Sequence, residues 1–553
     1  MKKYHIKRVL AFVMALTMLF TLRFQAAVSL AAPSVPADIR SITTVAADLS
    51  GKTIILHTND IHGAVSKYAY IASVKQNFQS RGAQVILVDA GDYSQGTPYV
   101  NTSKGLDAVK MMNAAGYDLA TLGNHEFDFG YYKLMSNLSQ AKYKTICADV
   151  LGADGKPIVD PNYMYTTHSG VKIGFFGMET PETQTKVHPG LIKGITFLSK
   201  GQLATCAQEQ IDTLKAQGAD LVICLAHLGI DDESAGDGHR SIDLYSKIKG
   251  VDLMIDGHSH TVMTAGPKGE PIQSAGTKAE NIGVVIIDDA SKKIEDRFLL
   301  NYDKLQQEVT TAAKANELFK AIDNQYGVVF AKSEVKLNGA KDPGNRTEET
   351  NLGDLITDAM KWSILKAPGA LTVDADHVVV ITNGGGIRAT IEAGDVTMKD
   401  INTVLPFGNT VAVVYVTGAE LLEALEASTF CTPKAIGGYP QTEGIKFTID
   451  TTKAFKQGQA YPASTYYKPA AISRVSIESI NGQPFSATDT YAVVTNNFCA
   501  AGGDTYYSFV SASSQFDTGI VLDEAVIEYV KEVLGGKITA AKYGAPRGDQ
   551  TQK

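Results

Sequence analysis

The sequence predicts an α/β protein with two or more domains, and three observations support this prediction. The chain has 553 residues, more than a single hydrophobic core usually organises. In its first half, short apolar runs that end in polar residues alternate with helical stretches, and near residue 300 this pattern changes. The composition, 44% hydrophobic and 20% charged, is that of a globular protein, which excludes a fibrous or largely disordered chain.

The N-terminus has the order of features that marks an export signal. Four basic residues within the first eight precede the apolar run of residues 9–22, and small residues follow. This order predicts a signal peptide over residues 1–31 and an exported protein that is secreted, periplasmic or held at the cell surface. A retained membrane anchor is the alternative, but the run is short for a membrane span. No membrane span is expected after cleavage.

The charge balance restricts the class of ligand. The formal net charge is −8, and residues 1–31 carry five positive charges and no acidic residue, so cleavage leaves −13. An acidic surface repels nucleic-acid backbones, which argues against a polynucleotide partner. A small anionic substrate is expected instead, held by local positive charge from metals or a few arginines.

The five cysteines contain no C-x-x-C spacing, so neither a zinc ribbon nor a redox centre is indicated. Cys147, Cys206 and Cys224 lie in apolar stretches and are predicted core residues. Cys431 and Cys499 lie in predicted loops, and the sequence is compatible with both a disulfide and two free thiols.

The first half is predicted to be a layered domain over residues 51–302. Residues 32–50, rich in Ala, Ser, Pro and Thr, are predicted to be a linker before it. Short apolar runs bounded by Gly and Asp indicate buried strands, and their alternation with helices indicates an α/β arrangement. The predicted strands are residues 54–56, 85–88, 119–122, 221–225 and 253–255.

The second half has a different organisation. Residues 303–331 are charged and lack proline, which predicts a helix, and we assign residues 303–340 to a connector. A second α/β or α+β domain is predicted over residues 341–553. It begins with a helix at Asn351 and continues through strands such as 378–381 and 411–416, with Gly-rich loops.

The polar residues that follow the first-half strands are all of metal-ligand type. Carboxylate, amide and imidazole groups suit hard to borderline divalent metals. Open α/β sheets place ligand sites at the carboxyl ends of strands, so these side chains are expected to converge. Each residue alone is more simply a turn or helix-cap residue, but a set drawn from five strands predicts a metal site. The set is Asp60, His62, Asp92, Asn124, His125, His227, His258 and His260.

Four motifs in residues 53–290 occur in an order and spacing that is typical of one enzyme family. They are residues 55–63 (ILHTNDIHG), 89–92 (DAGD), 123–128 (GNHEFD) and 257–260 (GHSH). These motifs resemble those of bacterial 5′-nucleotidases and UDP-sugar hydrolases, within the calcineurin-like metallophosphoesterase superfamily. The resemblance implies a four-layer catalytic domain, a helical connector and a C-terminal α/β nucleotide-binding domain.

The resemblance also implies two divalent metal ions, with zinc, manganese or cobalt as the expected kinds. Asp92 would bridge them, and many relatives carry Gln or Asn in place of His260. The expected ligands are Asp60, His62, Asp92 and His260 for one ion, and Asp92, Asn124, His227 and His258 for the other.

The remaining histidines of the first half are assigned different roles. The resemblance implies that His125, with Asp128 behind it, stabilises the phosphoryl group during direct attack by a water that the two metals activate. His57 lies inside the first predicted strand and is expected to be structural. The others fit no pattern and are expected at the surface or in the core; they are His168, His188, His239 and His377.

Three Gly-rich segments of the second half resemble the C-terminal domain of the same family, over residues 345–525. They are residues 383–388 (NGGGIR), 405–410 (LPFGNT) and 497–504 (NFCAAGGD). Glycines allow close approach of the backbone to a ligand, and aromatic rings can stack on a base. The implied contacts are Phe407 and Phe498 with the base, Asp504 with the ribose, Asn383 and Asn409 with the nucleoside, and Arg346 and Arg388 with phosphate.

The leading hypothesis is therefore an exported metal-dependent 5′-nucleotidase that acts on a nucleotide, with di- and triphosphates or UDP-sugars as further substrates. A 2′,3′-cyclic-nucleotide 2′-phosphodiesterase/3′-nucleotidase and a non-catalytic secreted binding module are the alternatives. The NGGGIR and FGN motifs favour the first, and the complete ligand set argues against the last. Glu348 and Glu349 stand where some relatives have a further arginine, so the preferred phosphate number stays open, as do the native metals, the base and the oligomeric state.

Overall fold

The computed structural model describes residues 37–231, 238–366, 371–462 and 464–553. The predicted signal peptide lies outside these residues. Within them, no helix combines the length and the apolar character that crossing a membrane requires. The chain forms two α/β halves joined by one long helix.

The N-terminal half consists of two stacked sheets with helices on both outer faces. Its central strands, such as Lys52–Thr58 and Leu221–His227, are buried almost throughout, as expected for strands covered on both faces. Ile55 of the first sheet packs in one cluster with Phe175 and Ile223 of the second. Helices cover the first sheet on one side and Gly201–Ala216 covers the second on the other. The predicted four-layer arrangement is confirmed.

The strand order of both sheets places parallel neighbours side by side at their centres. The first sheet runs, in spatial order, Ile39–Ser41, Lys293–Asn301, Ile282–Asp288, Lys52–Thr58, Gln84–Asp89, Leu119–Ala120 and Lys144–Thr145. The second runs Val262–Met263, Ile272–Ala275, Leu253–Ile255, Leu221–His227, Lys172–Glu179 and Asn162–Thr166. Val150–Leu151 and Thr196–Phe197 form a separate pair.

Part of the predicted linker belongs to the fold. Ile39–Ser41 is the edge strand of the first sheet and pairs in parallel with residues 299–301. Arg40 forms an ion pair with Asp296 across this edge. The Ala-, Ser- and Thr-rich composition indicates a loop, but backbone pairing with an open sheet edge does not require apolar side chains. The assignment of residues 32–50 to a linker is therefore wrong for this strand.

The connector is a helix that is shorter than the sequence predicts. It spans Val309–Tyr326 and packs on the first sheet's helical layer through residues such as Ala315. The Glu308 carboxylate caps it by accepting hydrogen bonds from the N–H groups of residues 310 and 311, and Gly327 ends it. Val329–Ser333 then forms a strand with the C-terminal half, so residues 303–340 are not wholly a connector.

The C-terminal half is built on a five-stranded sheet with apolar clusters on both faces. Helices Asn351–Leu365 and Leu522–Glu532 cover one face, and helix Gly418–Ser428 with a second sheet covers the other. The five strands are Pro440–Glu443, Val378–Asn383, Thr490–Asn496, Thr410–Thr417 and Ser514–Val521. A three-stranded sheet contains Gly394–Thr397, Val329–Ser333 and Lys537–Ile538. A four-stranded sheet contains Gln483–Pro484, Val475–Ile480, Ile445–Ile449 and Gln550–Gln552. Gln457–Ala460 pairs with Tyr467–Pro469.

The remaining helices are mostly short and lie between strands. In the N-terminal half they are Tyr68–Ser80, Pro98–Asn101, Leu106–Ala115, Tyr131–Leu138, Thr183–Lys186 and Ser241–Tyr245. In the C-terminal half they are Met398–Val404, Asn497–Ala500 and Ala540–Tyr543. All five cysteines are free thiols, so Cys431 and Cys499 are not paired.

His57 makes the stability of the N-terminal half depend on pH. Its ring is 0% exposed, and burial lowers its pKa to about 4. The unfolded chain, with a histidine pKa near 6.5, therefore binds this proton first on acidification. The stability that the neutral ring provides is complete above about pH 6.5 and is lost as the pH falls towards 4, by about 3 kcal/mol in total.

We expect the free energy of unfolding to depend less on pH in the His57→Leu variant than in the wild type. Urea unfolding at pH 7 and pH 4.5, with a chelator present, gives the free-energy difference for the wild type and the variant. Other histidines contribute equally to both proteins, so the wild type should lose more stability than the variant. Equal losses would contradict the assignment.

Candidate active site

The predicted metal ligands converge at the carboxyl ends of the central strands of both sheets. Lys52–Thr58 and Gln84–Asp89 are parallel neighbours, so the turns that follow them lie side by side and carry Asp60 and Asp92. The second sheet is stacked on the first and delivers His227 at the end of its own strand. Three groups of side chains bring donor atoms within 4.8 Å of one another: Asp60, His62 and His260; His62, Asp92 and His125; and Asp92, His227 and His258.

Asp92 occupies the centre of this cluster. Its Oδ2 lies 3.1 Å from Nε2 of His227, 3.8 Å from Nε2 of His62 and 3.9 Å from Nε2 of His125. Its other oxygen, Oδ1, accepts a hydrogen bond from the backbone N–H of His125 at 2.9 Å. One carboxylate thus faces histidines from both predicted ligand sets, which is the position that a bridging ligand needs.

The backbone at the cluster is held in an unfavourable conformation. Asp60, His62, Asp92, His258 and His260 all have positive φ angles, between 46° and 73°. Left-handed backbone costs on the order of 1 kcal/mol or more for a residue other than glycine, and such strain concentrates at functional sites. The positive φ angles at these five residues therefore lower the stability of the fold, and in return they direct the five side chains towards one another.

Two motif glycines allow the turns to approach one another. A Cβ atom on Gly123 would lie 2.4 Å from Oδ1 of Asp92, and a Cβ atom on Gly91 would lie 2.7 Å from the backbone nitrogen of Gly123. Neither distance leaves room for a side chain. The glycines of the DAGD and GNHEFD motifs are thus required by the packing of the turn that carries Asp92.

The donor atoms of the cluster face one another in a way that fits bound cations. The Nδ1 of His227 donates to the carbonyl oxygen of Ala90 at 2.7 Å, so its Nε2, 3.1 Å from Oδ2 of Asp92, is the nitrogen directed into the cluster. The Nε2 atoms of His62 and His260 lie 3.0 Å apart. Imidazole nitrogens and carboxylate oxygens gathered this closely are the donor set that divalent metals bind, so the residues present fit divalent metals.

The pKa values of the cluster residues are shifted by burial and by the attraction between neighbouring groups. Burial opposes charge on Asp92 and His227, but their mutual attraction outweighs it, so the pKa of Asp92 lies well below its usual value and the pKa of His227 well above. Burial raises the pKa of Asp60 to about 7. Burial also holds the pKa values of His62 and His260 well below 6.5, which keeps both rings neutral and able to ligate a metal.

His125 and Asp128 form a hydrogen-bonded pair beside the cluster. The Nδ1 of His125 lies 2.6 Å from Oδ2 of Asp128, three residues along the same turn. Burial raises the pKa of Asp128, and the attraction of His125 partly offsets this. The ring of His125 also stacks on Phe407 of the other half, with 5.7 Å between ring centroids. The pair thus directs Nε2 towards the metal-ligand cluster.

Sequence reasoning missed several residues that support the cluster. Glu126, inside the GNHEFD motif, accepts hydrogen bonds from the N–H groups of Asp92 at 2.8 Å and of Gly123 at 2.7 Å and so holds both turns together. Its position inside the GNHEFD motif could have indicated a role at the site. Glu182 and Lys186 also contact functional residues, but they lie in a stretch without any motif.

One cleft between the two halves contains both sets of predicted residues. From the N-terminal half it is lined by Asp92, Asn124, His125, Asp128, His258 and His260. From the C-terminal half it is lined by all seven predicted substrate residues, namely Arg346, Asn383, Arg388, Phe407, Asn409, Phe498 and Asp504. Asp60, His62 and His227 lie deeper, beneath the cleft floor, and are buried.

The sheet order explains why the Gly-rich segments meet. Val378–Asn383 and Thr490–Asn496 are parallel neighbours, so the loops that follow them emerge together. Asn383 donates to Oδ2 of Asp504 at 2.7 Å across this junction. Lys186 of the N-terminal half reaches the other oxygen of Asp504 at 3.2 Å. Asp504, which has a φ of 50°, is therefore held by side chains from both halves.

The two predicted phosphate-binding arginines lie close enough to repel each other. Within the described residues, neither Arg346 nor Arg388 has a carboxylate within ion-pair distance. Burial and repulsion from Arg346 lower the pKa of Arg388 to about 10. Arg388 also lies over the ring of Phe407, 5.8 Å from its centroid. Two adjacent unpaired guanidinium groups in a cleft form an anion site.

Glu349, one of the two acidic residues near Arg346, binds the backbone near the C-terminus. Its carboxylate accepts hydrogen bonds from the N–H groups of residues 548 and 549 near the C-terminus, at 2.9 and 3.3 Å. It therefore ties the loop that carries Arg346 to the C-terminal strand Gln550–Gln552 and does not face the cleft. Glu348 is exposed.

Comparison with known proteins agrees with this geometry over nearly the whole chain. Residues 53–262 match the calcineurin-like phosphoesterase family, and residues 329–511 match the 5′-nucleotidase C-terminal domain family. These two matches identify the chain as a calcineurin-like phosphoesterase with a 5′-nucleotidase C-terminal domain. Calcineurin-like phosphoesterases use divalent metals, and the Asp and His cluster described above could hold such ions in this chain.

Three relatives illustrate the range of this family. The trifunctional nucleotide phosphoesterase YfkN of Bacillus subtilis is 31% identical over 536 residues, which cover 88% of this chain; the chain spans about a third (34%) of that relative. The snake venom 5′-nucleotidase of Crotalus adamanteus is 28% identical over 89% of this chain and 87% of its own length. The crystal structure of the 5′-nucleotidase precursor from Thermus thermophilus is 26% identical and superimposes with a TM-score of 0.75, covering 91% of this chain and 99% of its own.

Proposed function

We propose that this protein is an exported 5′-nucleotidase that hydrolyses the phosphate ester of nucleoside monophosphates at two divalent metal ions. The observation that carries the proposal is that one cleft contains both the metal-ligand cluster and the arginine and aromatic residues of the other half. A phosphatase without nucleotide preference needs only the first set. Export rests on the N-terminal sequence pattern, which lies outside the described residues.

The residues of the N-terminal half carry the chemistry in this proposal. Asp60, His62, Asp92 and His260 would hold one metal, and Asp92, Asn124, His227 and His258 the other; zinc, manganese and cobalt all suit these donors. When bound, the two ions supply positive charge for the phosphoryl oxygens and lower the pKa of a water for attack on phosphorus. Asp128 contacts Nδ1 of His125 and aims the ring, and in the imidazolium form Nε2 would donate a hydrogen bond to a phosphoryl oxygen as charge develops.

The residues of the C-terminal half bind and orient the nucleotide. Arg346 and Arg388 would bind the phosphate and disfavour a neutral substrate, since no carboxylate among the described residues forms an ion pair with either. Phe407 and Phe498 provide flat apolar faces for the base, Asp504 accepts from the ribose hydroxyls, and Asn383 and Asn409 contact the nucleoside. The UDP-sugars and the nucleoside di- and triphosphates are further candidate substrates, because the motifs of the chain also resemble those of UDP-sugar hydrolases.

A substrate panel tests the function. Phosphate release is measured from AMP, 3′-AMP, cyclic 2′,3′-AMP, ADP and a UDP-sugar, with manganese, cobalt or zinc added to chelated enzyme. AMP is expected to give the highest kcat/KM. Preference for cyclic 2′,3′-AMP and 3′-AMP over AMP would favour the phosphodiesterase alternative, and no release from any substrate with any metal would overturn the proposal.

Phe498 separates base recognition from phosphate chemistry. Phe498→Ala is expected to raise the KM for AMP about 5- to 150-fold, because stacking on one base contributes roughly 1–3 kcal/mol. Its ring is 8% exposed, lines the cleft and packs on Gly503. A small phosphate ester without a base should be affected much less. The measurement is the ratio of the two KM changes.

Phe485→Ala is the matched control, since Phe485 is a half-buried aromatic of the same half that packs on Tyr491 and does not belong to the cleft lining. It should leave both KM values near those of the wild type. If Phe498→Ala weakens both substrates equally, Phe498 acts through packing and the base contact is wrong.

A further inference from the structure

A buried carboxylate joins one predicted metal ligand to a second histidine that no motif covers. Glu182 is 2% exposed and immediately precedes the short helix Thr183–Lys186. Its Oε2 lies 3.1 Å from Nε2 of His258, and its Oε1 lies 3.0 Å from Nε2 of His239. His239 is 1% exposed. Two imidazoles therefore donate to the two oxygens of one carboxylate.

This arrangement determines which nitrogen of His258 is available to a metal. A neutral imidazole that donates from Nε2 carries its lone pair on Nδ1. The Nδ1 of His258 lies 2.9 Å from Oδ1 of Asn124, inside the second set of predicted ligands. Without an acceptor at Nε2, the proton could occupy Nδ1 instead and point into the site. A buried carboxylate at Nε2 prevents this.

Backbone hydrogen bonds fix the turn that carries Glu182, and Nζ of Lys186 lies 4.0 Å from its Oε2. The backbone N–H of Glu182 donates to Oγ1 of Thr180 at 3.3 Å, and its carbonyl oxygen accepts from Thr185 and Lys186 at 2.8 Å. Glu182 therefore sits on a helical turn with little freedom. A glutamine at this position has one acceptor oxygen, so it can satisfy only one of the two imidazole N–H groups.

We propose that Glu182 is a positioning residue for His258 and is itself oriented by His239, so that the row His239–Glu182–His258 sets the affinity of the second metal site. The inference rests on the proposed metal centre. Glu182 does not belong to the described lining of the cleft, so it acts through His258 and not on the substrate. Carboxylates behind a ligating histidine fix its tautomer and raise its basicity.

The test is the manganese affinity of the purified, chelated full-length protein. Glu182→Gln keeps the size of the side chain and is expected to weaken one of two manganese sites 10- to 100-fold in titration calorimetry, with the other site unchanged. The absorption spectrum of the cobalt-loaded protein is expected to change, since the His258 ring is no longer fixed. Turnover of AMP should recover when manganese is raised to saturation.

A second variant keeps the test valid if Glu182→Gln does not fold. His239→Gln leaves Glu182 and His258 paired and is expected to weaken the same site by a smaller factor. Asp149→Asn is the control: Asp149 is a 1% exposed carboxylate of the same half that accepts from the N–H of Glu179 and contacts no predicted ligand. It should bind manganese like the wild type.

The possible results separate this inference from the proposed function. Wild-type manganese affinity at both sites in a folded Glu182→Gln protein, or an equal loss in Asp149→Asn, overturns the positioning role and leaves the proposed function intact. Failure of the wild type itself to bind manganese overturns both.

Discussion

Asp92→Asn is expected to reduce AMP turnover to near the detection limit and to lower the metal content of the purified protein. Asp92 faces histidines of both ligand sets at 3.1 Å and 3.8 Å, so both ions lose an anionic ligand when the carboxylate becomes an amide. The change keeps the volume and the hydrogen bond that Oδ1 accepts from the His125 backbone. The measurements are metal content after gel filtration and kcat at saturating manganese.

Asp118→Asn is the matched control for this variant. Asp118 immediately precedes strand Leu119–Ala120 of the same sheet, where its carboxylate accepts from the N–H of Leu87 and pairs with Lys75. It should retain two metals per chain and wild-type turnover. Two metals per chain and full activity in Asp92→Asn would end the assignment of Asp92 as the bridging ligand.

His125→Ala is expected to reduce kcat for AMP on the order of 10²- to 10³-fold while metal content stays close to normal. In the proposed mechanism His125 is not a ligand, and its Nε2 supplies a donor that acts on the phosphoryl group. The hydrogen bond of 2.6 Å to Asp128 orients the ring, so Asp128→Asn should reduce kcat in the same direction by a smaller factor. The KM for AMP should change less than kcat, since the donor acts mainly as charge develops.

His168→Ala, which removes an exposed histidine outside the cleft, is the control and should leave kcat unchanged. If His125→Ala instead loses metal together with activity, His125 is a ligand, as its place 3.9 Å from Oδ2 of Asp92 would permit. That result would exchange the roles proposed for His125 and Asn124.

Much of the fold and of the candidate site could be predicted from local patterns. The apolar runs that end at Asp60, Asp92 and His227 are strands, because short runs bounded by polar turns have few other stable arrangements. The helix that begins at Asn351 was also predictable, since Thr350 caps it. These signals are local, and the family motifs extend them to the whole ligand set.

Boundaries and edge elements were less predictable. Ile39–Ser41 has the composition of a linker, and only the open edge beside residues 299–301 makes it a strand. Val329–Ser333 continues a helical pattern in the sequence but pairs with Gly394–Thr397 and Lys537–Ile538. In both cases distant backbone groups decided the conformation, and a local pattern carries no information about them.

The sequence by itself indicated the side chains to which we assign the chemistry, from Asp60 to His260 and from Arg346 to Asp504, because strand ends and Gly-rich turns leave a local pattern. Only the tertiary structure decided that both sets face one cleft, that Lys186 reaches Asp504, and that Glu182 connects His239 with His258. The physical reason is that these contacts join residues between 57 and 318 positions apart. A hydrogen bond over such a separation depends on how the sheets stack, and neither composition nor periodicity reports that packing.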